Sequence, residues 1–195
     1  MSTPYEKALA AIDAAHALDP TITTLPDGST IPYELHYAQK CTSYLTLHSP
    51  SASEPLRLAI RAQHFRRWEV PRASYPMTRP GYHAWRTFLK KRQAELVSTI
   101  CTDAGYDATT AERVGALIRK EGIKQDAETQ VLEDVACLVF LDDQFEAFEK
   151  EHDEEKIVKI LQKTWGKMGE RGHELALKIP MEGRAKEVVE KALAG

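Results

Sequence analysis

Between Arg57 and Arg92 the chain reads RLAIRAQHFRRWEVPRASYPMTRPGYHAWRTFLKKR, with a single acid, Glu69, among its cations. Arginine rather than lysine dominates up to Arg86. Lysine is the usual residue of a solvated face, whereas the planar guanidinium grips carboxylate or phosphate at two points. Trp68, Tyr75, Tyr82 and Trp85 are interleaved and could stack on a base or a guanidinium plane. The chain as a whole carries a net charge of -3, so its positive charge is gathered locally. That pattern asks for a small phosphorylated or otherwise anionic ligand. RNA fits less well, because the basic run is short and the remainder is acidic. The candidate ligand-binding residues are Arg66, Arg67, Arg72, Arg79 and Arg86, with Trp68, Tyr75 and Lys120. The rival reading is a solvated face, or arginines that neutralise the protein's own carboxylates.

Four further residues could carry chemistry. His64 follows Leu56 and Ile60 at helical spacing, which places it on an apolar face. There it is either a core-edge histidine bonded to a neighbour or a general base or metal ligand facing a pocket. Glu34 precedes Ala38, Cys41 and Leu45 at the same spacing, so a carboxylate joins an inward stripe. A first-turn acid favoured by the helix dipole is the plainer account. Glu133 and Asp134 open the apolar run VACLVFL. A buried carboxylate costs several kcal/mol unless paired, so at least one of them must face a cation, whether arginine, lysine or metal, an arginine ion pair being the plainer account. In an enzyme, His64, Glu133 and Asp134 would be catalytic, and Glu34, His64 and Asp134 could hold a divalent metal.

The elements that must position these groups are helical. Apolar spacing predicts helices over Tyr5–Leu18, Tyr33–Leu47 and Leu56–Trp68. Pro71, Pro76 and Pro80 forbid a regular helix across residues 70–81, which read as a tethered loop. A long helix then spans Tyr82–Asp103, with Gly105 as its C-cap. Thr109 or Thr110 caps a helix through Lys120 that Gly122 ends, and Ala127–Phe148 is a central helix buried all round. Two amphipathic helices follow, Glu154–Gly169 and Gly172–Ile179. The expectation is an all-α fold: a single helical domain over 1–180, and a short, charged, loosely packed helix over 181–195. The segment TLPDGSTIP reads as a turn-rich connection.

The three cysteines, Cys41, Cys101 and Cys137, lie far apart with no C-x-x-C spacing, which suits reduced thiols in a cytoplasmic protein. The N-terminus has no secretory pattern and no apolar run is long enough for a membrane span. P-loop, dinucleotide-fingerprint, H-E-x-x-H and G-x-S-x-G motifs are all missing.

Three long blocks in order, AIRAQHFRRWEVPRASYPMTRPGYHAWR, LIRKEGIKQDAETQVLEDVACLVFLDDQF and KTWGKMG, resemble the family called domain of unknown function 4202. Members of that family have been labelled glutamyl-tRNA synthetases. This chain has no H-I-G-H element and is short for a synthetase catalytic domain, so that activity is not expected. More remotely, the layout resembles HD-type metal phosphohydrolases, which are all-helical and hold a divalent metal through histidine, a His-Asp pair and a later aspartate. By that likeness Glu34 stands at the first histidine, His64 at the histidine of the pair and Asp134 at the last aspartate. Phe65 replaces the paired aspartate. The resemblance thus implies an HD-like arrangement and hydrolysis of a phosphoester, with two of the usual ligand types changed.

Overall fold

The computed structural model describes residues 2–123 and 125–194. The described regular structure is mostly helical: α1 (Pro4–His16), α2 (Tyr33–His48), α3 (Glu54–Arg61), α4 (Arg79–Ala104), α5 (Ala108–Arg119), α6 (Ala127–Val139), α7 (Phe145–Lys150), α8 (Glu154–Trp165), α9 (Glu170–Ala176) and α10 (Gly183–Ala194). One short antiparallel hairpin, β1 (Ile22–Thr24) and β2 (Thr30–Pro32), separates α1 from α2. It occupies the segment read as a plain connection, with Asp27 and Ser29 tightening its turn. No described helix is long and apolar enough to cross a membrane.

Helix starts follow side-chain caps. Thr3 and Glu6 form a capping box on α1, Ser53 caps α3, and Asp107, not Thr109 or Thr110, caps α5. Thr78 caps α4, so this helix begins at Arg79, earlier than its prolines suggested. Pro80 falls in the first turn, where its missing N–H has no intrahelical acceptor to lose. Gly105 closes α4 in the left-handed conformation (φ 105°), as its C-cap reading required.

The main core joins α1 to α6. Ile12, Leu56, Leu58, Ile60, Phe65, Leu117 and Leu132 are essentially solvent-free. Each such side chain contributes about 1.5–3 kcal/mol of burial free energy. The long α4 packs along α5 and α1, and α6 packs against α2. Between α6 and α7 the helix widens into a π segment, Phe140–Gln144, so the expected unbroken helix over 127–148 is instead two α segments joined by π geometry. A second cluster gathers Phe145, Ile157, Leu161, Ala185, Val188 and Ala192. It seats α10 on α8, with Val188 1 % exposed, so the C-terminal helix is packed and not loose.

Candidate functional site

The site is built around a break in the helix expected over Leu56–Trp68. That helix stops at Arg61, and residues 62–66 form an irregular turn before a 3-10 turn at Arg67–Glu69. His64 and Arg66 lie in the left-handed region, at φ 63° and 48°. Placing His64 on a helical face was therefore incorrect: the residue projects from a strained turn. Phe65 is driven into the core, 1 % exposed, edge-on to His16. It serves packing, at the position where the expected HD-type likeness would have called for an aspartate.

Glu34 holds this turn. Its carboxylate, 4 % exposed, accepts from the backbone N–H groups of Arg66 (2.9 Å), Arg67 (2.5 Å) and Trp68 (3.3 Å). His16 Nδ1 lies 3.1 Å from the same carboxylate, and His16 Nε2 lies 2.9 Å from the Arg61 carbonyl oxygen. Consecutive backbone N–H groups of this kind form an anion-binding nest, and here the anion is the protein's own. Asp19 in turn accepts from the backbone N–H of Glu34 and of Thr21, tying the hairpin to the start of α2.

The turn aims His64 and Arg67 at a pocket of about 60 Å³. The His64 ring stacks on Tyr37, with centroids 4.2 Å apart and an interplanar angle of 15°. Arg67 Nη1 lies 2.9 Å from His64 Nε2. A guanidinium can only donate, so Nε2 is the accepting nitrogen and the ring proton sits on Nδ1. Burial, then the charges of Arg67, Arg86 and Lys120, hold the imidazole well below its ordinary 6.5, so the ring is neutral. Arg67 also lies over the Trp85 ring, 4.7 Å from its centroid.

Arg86, Lys90 and Gln93 reach the same pocket from α4, and Lys120 from the end of α5. Four cations thus line one small cavity. Only Lys120 has a carboxylate partner, Glu133, which also lies 3.7 Å from Lys167. Among the described residues, Arg67, Arg86 and Lys90 make no ion pair. Burial lowers the Lys90 ammonium below its usual value, and the charges of Lys120 and Arg86 add to that. For Glu133, burial acts upward, but Lys120, Lys167 and Lys90 outweigh it and leave the carboxyl below 4.5. Gln93 is 7 % exposed, and its Nε2 donor has no protein partner. Lys120 is left-handed (φ 59°), so all three non-glycine residues of positive φ among those described border this pocket or its turn. Such residues cost about 1–2 kcal/mol each and persist where the surroundings over-determine them.

An open cleft of about 490 Å³ adjoins the pocket and shares His64 and Arg67 with it. Tyr33, Tyr37, Trp68 and Trp85 line it, and Gln144 enters from the π segment. Arg72 lies on its wall, but donates to the carbonyls of Tyr75 (3.0 Å), Pro76 (2.8 Å) and Thr78 (3.3 Å), so it clamps the proline loop. Trp68 Nε1 is buried without a protein acceptor.

The residues singled out from sequence therefore separate. His64, Arg67, Arg86 and Lys120 meet at the pocket, and Glu133 stands behind Lys120. Trp68 and Arg72 belong to the cleft. Arg66 turns away to pair with Glu69 at 2.6 Å, Arg79 is exposed at the start of α4, and Tyr75 packs toward Phe88. Asp134 goes elsewhere: it lies 2.9 Å from His48 Nε2 and accepts from Gln130 (2.7 Å) and from the Gly169 N–H (2.9 Å). At least one of the buried acids was expected to face an arginine, a lysine or a metal, with arginine the plainer choice. Glu133 has lysines and Asp134 has a histidine. Glu34, His64 and Asp134 thus have separate partners, and among the described residues no three His, Cys, Asp or Glu side chains are grouped to hold a metal. Lys90 and Gln93 were not singled out from sequence. Their spacing from Arg86, four and seven residues along α4, was the available signal.

Among the described residues, this arrangement does not show the expected likeness to HD-type phosphohydrolases. No curated protein and no solved structure matches the chain. The family model for a domain of unknown function, DUF4202, matches residues 6–189, and the chain belongs to that family.

Proposed function

We propose that this protein binds a small phosphorylated or otherwise anionic ligand, with the anion in the pocket between α4, α5, α6 and the His64 turn. One observation carries the reading: Arg67, Arg86, Lys90 and Lys120 converge on a cavity of about 60 Å³, and only Lys120 has a carboxylate. Like charges gathered in a partly desolvated site repel one another, and a dianion relieves that cost. In such a site charge-assisted hydrogen bonds are strong. The neutral His64 ring and the Gln93 amide add donors of no net charge. A cavity of this size suits one phosphate group better than a nucleic-acid strand. In this arrangement the His64 lone pair accepts from Arg67, so the ring serves as a donor and not as a general base.

The test is a thermal-shift and calorimetric screen of inorganic phosphate and phosphorylated metabolites, each against its dephosphorylated counterpart. Ligands specific for the folded state raise the melting temperature by mass action. Phosphorylated compounds should stabilise the protein, and the effect should fall at least tenfold in affinity in Arg86→Ala and Lys90→Ala. Equal behaviour of phosphorylated and dephosphorylated compounds refutes the reading. Phosphate release on the same panel, with and without added divalent metal, reports whether a bound ligand is also hydrolysed.

A further inference from the structure

We infer that the body of the ligand is a planar heterocycle held in the adjoining cleft, with Trp68 as the specificity-determining residue. This rests on the anion pocket proposed above. His64 and Arg67 line both cavities, so a ligand anchored in the pocket extends past them into the cleft. The pocket, at about 60 Å³, holds a phosphate-sized group, whereas the cleft, at about 490 Å³, has room for a ring system.

The cleft is a poor place for a second charge. Its two carboxylates, Asp19 and Glu34, are engaged by backbone N–H groups and would repel another phosphate. Of its two guanidinium groups, Arg72 is bonded to three carbonyls and Arg67 is shared with the anion pocket. What remains is aromatic surface from Tyr33, Trp68 and Trp85, together with one donor that no protein group accepts. Trp68 Nε1 is buried and has no protein acceptor. An indole nitrogen can only donate, and a buried donor left unmatched is costly. A ring nitrogen or carbonyl on a stacked ligand supplies the missing acceptor. The class that meets all these terms is a phosphomonoester of a planar heterocycle, with its phosphate terminal and its ring carrying an acceptor at the edge.

The experiment is isothermal titration of the full chain with inorganic phosphate, ribose 5-phosphate and the common nucleoside 5′-monophosphates. At least one nucleotide should bind about tenfold or more tightly than ribose 5-phosphate, in the range that base–aromatic stacking supplies. Trp68→Phe keeps an aromatic ring but removes the N–H, and should narrow that ratio several-fold. If ribose 5-phosphate and every nucleotide bind alike, the heterocycle inference is overturned while the anion pocket stands. If no compound binds, the anion pocket falls and this inference with it. An undiminished ratio in folded Trp68→Phe overturns the role given to Trp68.

Discussion

Removing the Glu34 carboxylate tests the physical basis of the site. In Glu34→Ala the backbone N–H groups of Arg66, Arg67 and Trp68 lose their acceptor, and His16 Nδ1 loses its partner. The Arg67 N–H retains a second acceptor, the His64 carbonyl at 2.9 Å, so its loss is partial. Each buried donor left unmatched costs about 1–3 kcal/mol, and breaking a buried pair by deleting one member typically costs about 3–5 kcal/mol. Water from the adjoining cleft replaces part of this, so the expected loss is about 3–4 kcal/mol. A domain of this size has about 5–15 kcal/mol in total, so the variant remains folded but marginal. Glu34→Gln keeps one acceptor oxygen and should lose about 1–2 kcal/mol. Urea unfolding gives the stabilities, and amide hydrogen exchange should show faster exchange at residues 66–68 in both variants. The turn carries His64 and Arg67, so phosphate affinity should fall along with stability. A stability change below about 0.5 kcal/mol in Glu34→Ala, with exchange at residues 66–68 unaltered, would refute the claim that this carboxylate fixes the strained turn.

Four further outcomes are expected. Lys90→Gln should stabilise the unliganded protein by up to about 1 kcal/mol, because it removes an unpaired cation from a crowded site, while weakening phosphate binding; a loss of stability measured in urea counts against an uncompensated pocket. His64 is held well below 6.5 in the fold and titrates near that value when unfolded, so only the unfolded chain takes up this proton as pH falls below about 6.5. That stability is complete above pH 6.5 and is lost on acidification toward the folded value, at up to about 1.4 kcal/mol per pH unit, and His64→Asn should show a flatter profile. Asp134→Asn should lower stability by about 2–4 kcal/mol by loosening α9 and α2, yet leave the phosphate affinity of the folded protein unchanged. Cys41, Cys101 and Cys137 are all buried, and burial pushes their thiols up to about 12, 11 and 12. They should resist a disulfide reagent at pH 8 in the native protein and react only on unfolding.

Much of the frame was legible because helices announce themselves locally. The apolar spacing of α1, α2, α5 and α8 and the stop at Gly105 are one-dimensional signals, and the all-α class followed from them. The break after Arg61 was not legible. The pattern Leu56, Ile60, His64 continues a helical period, and nothing local forbids a helix through Trp68. The turn forms because distant Glu34 offers a buried acceptor to three successive N–H groups, which a continuing helix would have bonded internally. The π segment is hidden for the same reason. Asp143 accepts from Tyr33 Oη (3.1 Å) and Asp142 from Lys40 (2.8 Å), partners more than a hundred residues away in sequence.

By itself the sequence determined the helical class, the concentration of cations between Arg57 and Arg92, and the need of at least one of Glu133 and Asp134 for a cationic partner. Composition, periodicity and the cost of burying charge are enough for each of these. Only the tertiary structure decided which cations meet. Arg67, Arg86, Lys90 and Lys120 come from three separate elements and face one cavity, while Arg66 and Arg72 are taken up by the protein's own groups. It likewise placed Asp134 at the joint with α9 and away from His64. Whether a charge is free for a ligand depends on which neighbours the fold brings within hydrogen-bonding reach, and those contacts span long distances in sequence.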